Sequence, residues 1–97
     1  MIVRRFKVTG YCPCEKCGKN PKGISASGKP RVPNHTAAAP KIIPFGTKIS
    51  FDRGGNYVVE DRGGSTITDS IEIFFPTHEK VTWFGTQFMY GHLEYKS

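Results

Sequence analysis

The sequence lacks long apolar runs and is poor in the residues that favour helices. No stretch approaches the ~18 consecutive apolar residues that a membrane-spanning helix needs, so we expect neither a membrane span nor a membrane partner. Long runs of leucine, alanine and glutamate are absent, whereas the 97 residues include 11 glycines and 7 prolines. This balance favours short strands joined by turns, in a chain whose length suits a single domain over residues 1–97.

Cysteines are few and odd in number. The three of them, Cys12, Cys14 and Cys17, lie within the motif CPCEKC, which makes a poor disulfide framework. The N-terminal segment has its arginines after the apolar residues and no apolar central region, so we expect no secretory signal and synthesis in the cytoplasm. Reduced thiols or a metal site therefore fit these cysteines better than disulfides.

Acidic residues are scarce as well. The chain has 8 Asp and Glu against 14 Lys and Arg, which gives a formal net charge of +6. A basic surface attracts polyanions such as nucleic acid or an acidic cell-wall polymer, although such a charge can also serve solubility alone. Because the chain has no recognised nucleic-acid-binding motif, nucleic acid is the least favoured of these partners.

Hydrophobic patterning indicates many short strands and one short helix. Thr77 can cap a helix that ends at Gly85, with Val81, Trp83 and Phe84 packed inward. Strands are predicted at residues 2–9, 47–60 (as a hairpin), 70–75 and 87–95. This order of elements predicts a mainly β fold, a small β-barrel with one short helix.

Two carboxylates stand out in the segment EDRGGSTITDSIEIFF. Asp61 follows a predicted strand and precedes Gly63 and Gly64, where a ligand has room to approach the backbone. Glu72 lies in the middle of a short apolar strand and by alternation faces away from its isoleucine neighbours. Alternation alone favours a solvent-facing residue, whereas a general acid in an aromatic cleft is the functional alternative.

Six sequence elements carry a resemblance to a known family. VTGYCPC, GISASG, AAAPKIIPFGTKI, YVVEDRGG, SIEIFFPTH and FG occur in this order. Together they resemble the 3D domain of bacterial and phage cell-wall lytic transglycosylases, over residues 9–84. The most specific part is the pair Asp61 and Glu72, eleven residues apart. The resemblance implies a double-psi β-barrel.

The family is named for three aspartates, which the resemblance carries to Ala39, Asp61 and Glu72. Glu72 falls on the catalytic general acid/base and keeps a carboxyl group, on a side chain one methylene longer. The implied reaction cleaves the bond between N-acetylmuramic acid and N-acetylglucosamine without water. One carboxylic acid protonates the leaving oxygen and then takes the proton of the sugar's own 6-hydroxyl as a 1,6-anhydro ring closes. It needs no cofactor and a single acid, with Asp61 orienting the sugar or tuning that acid.

The resemblance also implies a substrate and the residues that meet it. The predicted substrate-binding residues are Tyr11, Ser27, Gly63 and Gly64, with peptidoglycan glycan strands as the partner. His35 is added to them because it closely precedes Ala39 and would contact substrate in place of the lost aspartate. A small chain of this kind suits a phage or prophage endolysin that acts at the bacterial cell wall. The departures from the aspartate pattern support a second interpretation, a wall-glycan-binding module without turnover.

The cysteine-containing loop over residues 11–33 is long for a small domain and is expected to be functional or held in place. Cys12, Cys14 and Cys17 with His35 downstream would supply three thiolates and one imidazole to a tetrahedral structural zinc. The alternative is a set of reduced thiols, with His35 lining the cleft and contacting substrate.

Overall fold

A computed structural model describes residues 2–13, 24–63 and 69–95 of the chain. Within these ranges no helix is both long and apolar enough to cross a membrane. The elements are β1 (Ile2–Tyr11), β2 (Thr36–Ala39), β3 (Lys48–Phe51), β4 (Asn56–Arg62), β5 (Ser70–Phe74), α1 (His78–Phe84) and β6 (Gln87–Glu94).

The six strands close into a barrel in the order β1-β5-β2-β4-β3-β6. Two pairs, β1 with β5 and β2 with β4, are parallel, and the remaining pairs are antiparallel. Exchanging β1, β2 and β3 for β4, β5 and β6 reproduces the same set of neighbours, so the barrel consists of two interlocked, equivalent halves. The prediction of a small, mainly β barrel with one short helix is confirmed.

The barrel interior is filled by residues that alternate along the strands. In β5, Ile71 and Ile73 point inward, and in β1, Phe6 and Val8 do the same. The strands carry apolar side chains at every second position because only one face of each strand meets this interior. The cluster consists of Phe6, Val8, Ala37, Ala39, Ile43, Ile49, Phe51, Val59, Ile71, Ile73, Met89 and Leu93.

Strand β2 was not predicted, because its four residues show no alternation. All four are buried. Ala37 and Ala39 belong to the interior, while Ala38 joins a separate buried cluster on the other face of the strand. Thr36 also lies beneath the preceding segment, since its Oγ1 accepts a hydrogen bond from the Val32 N–H at 2.8 Å. A central strand covered on both faces gives no period-two signal.

The helix α1 has the predicted ends but not the predicted packing. Thr77 is the N-cap and accepts a hydrogen bond from the Lys80 N–H, and Gly85 ends the helix at φ 64°. Phe84 packs against the core, whereas Trp83 is 83% exposed, so the inward placement of Trp83 was wrong. Adjacent helical residues point about 100° apart, and a helix of seven residues turns only one side to the barrel.

Candidate active site

The strand register brings Asp61 and Glu72 to one outer face of the barrel. Ala38 of β2 is the register partner of Asp61 in β4 and also of Glu72 in β5. Register partners on neighbouring strands point their side chains to the same face of a sheet. Because Ala37 and Ala39 face the interior, this shared face is the outside. The two carboxylates therefore flank one small side chain.

The carboxylate of Asp61 is enclosed and fully hydrogen-bonded. It is 3% exposed. Its Oδ2 accepts from the Tyr11 hydroxyl at 2.8 Å and from Arg31 Nε at 2.9 Å. Its Oδ1 accepts from the Ala26 N–H at 2.9 Å and from its neighbour's N–H, that of Arg62, at 3.0 Å. Burial alone would raise the pKa of Asp61, but these donors outweigh burial and hold the pKa below its ordinary value. Asp61 is thus a fixed anion.

Arg31 is the cationic partner of this anion. Both side chains are 4% exposed, so the ion pair is shielded from solvent. Sequence analysis places Arg31 among the cations of the loop, which bind anionic wall polymer or keep the loop solvated, and does not predict its pairing with Asp61. Nothing near Arg31 in the chain distinguishes a buried ion-pair partner from a surface cation. Together with the Ala26 N–H, Arg31 ties residues 24–33 across Asp61, so this segment forms a wall over the outer face.

Tyr11 lies beneath the site and donates a hydrogen bond to Asp61. It is 1% exposed, and its ring meets that of Phe74 edge-on, with centroids 5.4 Å apart. Burial, the hydrogen bond to Asp61 and the negative charges of Asp61 and Glu72 raise the pKa of Tyr11. The hydroxyl therefore stays protonated and keeps donating to Asp61.

Glu72 has a more open environment than Asp61. It is half-buried in the centre of β5, whose other four residues are all buried. Its register partners are Thr9 on one side and Ala38 on the other, and Phe74 follows on the same face. The outward direction expected from alternation is confirmed. Of the two acidic residues, Glu72 is the less buried, and Ala38 and Phe74 on the same face are apolar.

Two further residues from the sequence prediction, Ser27 and Gly63, lie beside this face. The Ser27 N–H donates to the Glu60 carbonyl at 3.0 Å, which fixes residues 24–33 to β4. The Gly63 N–H donates to the Ala39 carbonyl at 3.3 Å, directly after β4. Gly64 lies outside the described residues.

His35 lies at the entrance to β2, near a different carboxylate. Its Nε2 is 3.6 Å from Glu60 Oε2, and its side chain is about half exposed. The buried Glu60 also accepts from the Thr36 hydroxyl at 3.0 Å. His35 further lines a groove on the outside of β3, β4 and β6, together with His92 and Glu94.

The predicted zinc ligands are only partly described. Cys14 and Cys17 lie outside the described residues. Cys12 is buried, and its Sγ lies 3.8 Å from Nδ1 of His78, a histidine to which sequence analysis gave no role. Among residues 2–13, 24–63 and 69–95, no three His, Cys, Asp or Glu side chains are grouped as a metal site would require.

No family model matches the chain, and no curated protein matches it either. The likeness to the 3D domain therefore depends on the order and spacing of sequence motifs. Function has to be argued from the site itself.

Proposed function

We propose that this protein is a peptidoglycan lytic transglycosylase with Glu72 as its single general acid/base. The observation that carries the proposal is the pairing of two unlike carboxylates on one outer face, with only Ala38 between them. Asp61 is enclosed and anionic, whereas Glu72 is only half-buried. Pairs of carboxyl groups kept in different environments are typical of sites that cleave glycosidic bonds.

The chemistry needs one group that both gives and takes a proton. In its acidic form Glu72 protonates the oxygen that leaves as the bond between N-acetylmuramic acid and N-acetylglucosamine breaks. The resulting carboxylate then accepts the proton of the muramic 6-hydroxyl, whose oxygen bonds to the anomeric carbon and closes the 1,6-anhydro ring. Glu72 ends protonated again, so no water and no cofactor are consumed.

Asp61 acts in this proposal as a positioning residue. It is too enclosed to exchange protons with a sugar, but it holds Tyr11, Arg31 and the Ala26 N–H. These contacts keep residues 24–33 against the barrel as one wall beside Glu72. In this proposal, a glycan strand of the bacterial cell wall lies along residues 24–33, next to Glu72.

The missing first aspartate is compatible with the proposal. Ala39, the position to which the resemblance carries it, is fully buried in the barrel core. The residue between the two carboxylates on the outer face is Ala38. The alanine at position 39 therefore removes no group from the face that carries Glu72.

The test compares the wild type with Glu72→Gln on purified peptidoglycan. General acid–base catalysis contributes about 10² to 10⁴-fold, so we expect release of anhydro-muropeptides to fall by about that factor in the variant. Glutamine matches glutamate in size, so an unchanged melting temperature serves as the folding control. Equal release by the two proteins would refute the proposal.

The second candidate is a module that binds wall glycan without turnover. It is favoured by the glutamate at the acid position, where the resemblance expects the shorter aspartate. In that case the wild type and Glu72→Gln bind insoluble peptidoglycan equally well, and neither of them releases anhydro products.

The structural zinc remains a separate prediction, since the proposed reaction does not use it. Metal analysis of protein purified without a histidine tag tests it, and zinc well below an equimolar amount would contradict it. Because His78, not only His35, is a candidate imidazole, the variants His35→Ala and His78→Ala would show which one the metal needs.

A further inference from the structure

A cavity of about 320 Å³ opens at one end of the seam between β2 and β5, the two strands that pair at Ala38 and Glu72. Its volume lies within the range of small-ligand pockets. One wall is the segment that enters β2, and the other is the segment that leaves β5 and continues into α1. The lining residues are Pro33, Asn34, Phe75, Pro76, Lys80 and Trp83.

The cavity continues the seam on which Glu72 lies. β2 and β5 are neighbours, and they pair at Ala38 and Glu72. Phe75 comes three residues after Glu72, which corresponds to about 10 Å along a strand at ~3.3 Å per residue. A linear ligand that passes Glu72 along β5 would therefore reach the cavity within the length of a short oligosaccharide.

The aromatic wall of the cavity is rigid on one side and open on the other. Phe75 lies against the bare backbone of Gly10, where a Cβ would come within 2.7 Å of the ring. It also packs against Phe84, with ring centroids 5.2 Å apart. Trp83, by contrast, presents its ring to solvent although tryptophan is on average one of the more buried residue types. An exposed indole at a cavity mouth has apolar area to gain from a ligand.

The mixture of groups in the cavity selects one ligand chemistry. A pyranose ring has faces of C–H groups, which pack on flat apolar surfaces such as Trp83 and Pro76, and an edge of polar groups. Asn34 offers an amide to that edge, and Lys80 offers an ammonium group. A purely apolar ligand would leave both polar side chains unpaired, whereas an anionic sugar would use all of them.

We propose that this cavity is a saccharide subsite that holds a carboxylate-bearing sugar of the glycan strand. Trp83 stacks on the sugar ring, and Lys80 pairs with the carboxylate carried by a muramic-acid unit or its peptide. This inference rests on the proposed function, because it assigns a distal subsite to the same substrate.

The test uses the fact that Trp83 is the only tryptophan in the chain. Its fluorescence is followed while Glu72→Gln protein, which binds without turnover, is titrated with soluble peptidoglycan fragments. We expect a saturable change in emission. By calorimetry in the same background, Trp83→Ala is expected to weaken binding about tenfold. Phe88→Ala removes an aromatic ring that is 53% exposed on β6, away from the cavity lining, and should leave binding unchanged.

Lys80→Gln tests the charge. It should weaken binding of carboxylated fragments about threefold and leave binding of uncharged N-acetylglucosamine oligomers unaltered. Saturable binding without a change in Trp83 emission, or equal binding by Trp83→Ala and Phe88→Ala, would overturn the subsite.

Release of anhydro products by the wild type is measured separately. If the wild type releases anhydro products but Trp83 emission does not change on binding, the subsite is refuted and the proposed function stands. If binding depends on Trp83 but no anhydro products are released, the subsite stands and the proposed function is refuted.

Discussion

The two sides of the outer face differ in how firmly they hold a carboxylate. Around Asp61, four donors, one of them on the side chain of Arg31, converge on a group that is shielded from water. Glu72 is only half-buried between Thr9 and Ala38, on the pair of strands β2 and β5 that leads to the cavity. Two groups of the same chemistry thus have different environments. In the proposed function, Asp61 is the permanent anion that holds residues 24–33 and Glu72 is the proton carrier.

The largest effect that separates the two sides should be on stability. Asp61→Asn leaves the Arg31 guanidinium buried without its anion, and breaking a buried ion pair in this way costs about 3 to 5 kcal/mol of unfolding free energy. Glu72→Gln should change it by less than about 1 kcal/mol, because the site is partly exposed. Urea unfolding of both variants measures the difference. Similar unfolding free energies would mean that Asp61 does not hold the wall.

A second, smaller difference concerns the position of the acid. Glu72→Asp keeps the carboxyl group but withdraws it by about 1 Å, and a misplacement of that size can cost ~10²-fold in rate. We expect anhydro-product release to fall by this factor with stability unchanged. A rate equal to or above that of the wild type would show that the site is shaped for aspartate, as the resemblance to the 3D domain implies.

The strands with one exposed face were predictable from the sequence, and β2 was not. The hairpin of β3 and β4 and the apolar run of β5 show clear alternation and turn residues. β2 consists of a threonine and three alanines, all buried, because the barrel interior covers one face and residues 24–33 lie over the other. Trp83 was misjudged for a related reason: apolar character alone does not say which side of a short helix meets the core.

The site was predictable in its motif residues and not in its partners. The spacing of Asp61 and Glu72 marked them as a pair, and the pairing of both with Ala38 explains how they meet. The contacts of Arg31 and Ala26 with Asp61 span 30 and 35 residues of chain and depend on how a loop folds back over the barrel. No local pattern encodes such contacts.

Lowering the pH should reduce the contribution that Asp61 and its hydrogen-bond donors make to the stability of the fold. Because the folded pKa of Asp61 lies below its unfolded value, its contribution to stability is complete above the unfolded pKa of about 3.9 and is lost as pH falls through the folded pKa. Melting temperatures between about pH 7 and pH 3 should therefore fall less steeply for Asp61→Asn than for the wild type. Glu72→Gln, which keeps the Asp61 network, is the control and should follow the wild-type slope more closely than Asp61→Asn does. Parallel curves for the wild type and Asp61→Asn would contradict the role of the four donors.

The smallest effect should come from removing a single donor. Tyr11→Phe keeps the ring that packs against Phe74 and deletes only the hydroxyl that donates to Asp61 at 2.8 Å. The loss of one hydrogen bond to a buried charged group costs about 1.5 to 3 kcal/mol, and the lower figure applies here because three donors remain on the carboxylate. Urea unfolding measures this loss, and the acid-induced fall in melting temperature should be smaller and end at a higher pH than in the wild type, since fewer donors then hold the folded pKa of Asp61 below its unfolded value. Tyr11→Leu is the matched variant that removes the ring as well, and it should cost more because the contact with Phe74 is also lost. If Tyr11→Phe left both the unfolding free energy and its pH dependence unchanged, the hydroxyl would not hold Asp61 in place. If Tyr11→Phe lowered the unfolding free energy as much as Asp61→Asn does, Tyr11 and not Arg31 would be the principal partner of Asp61.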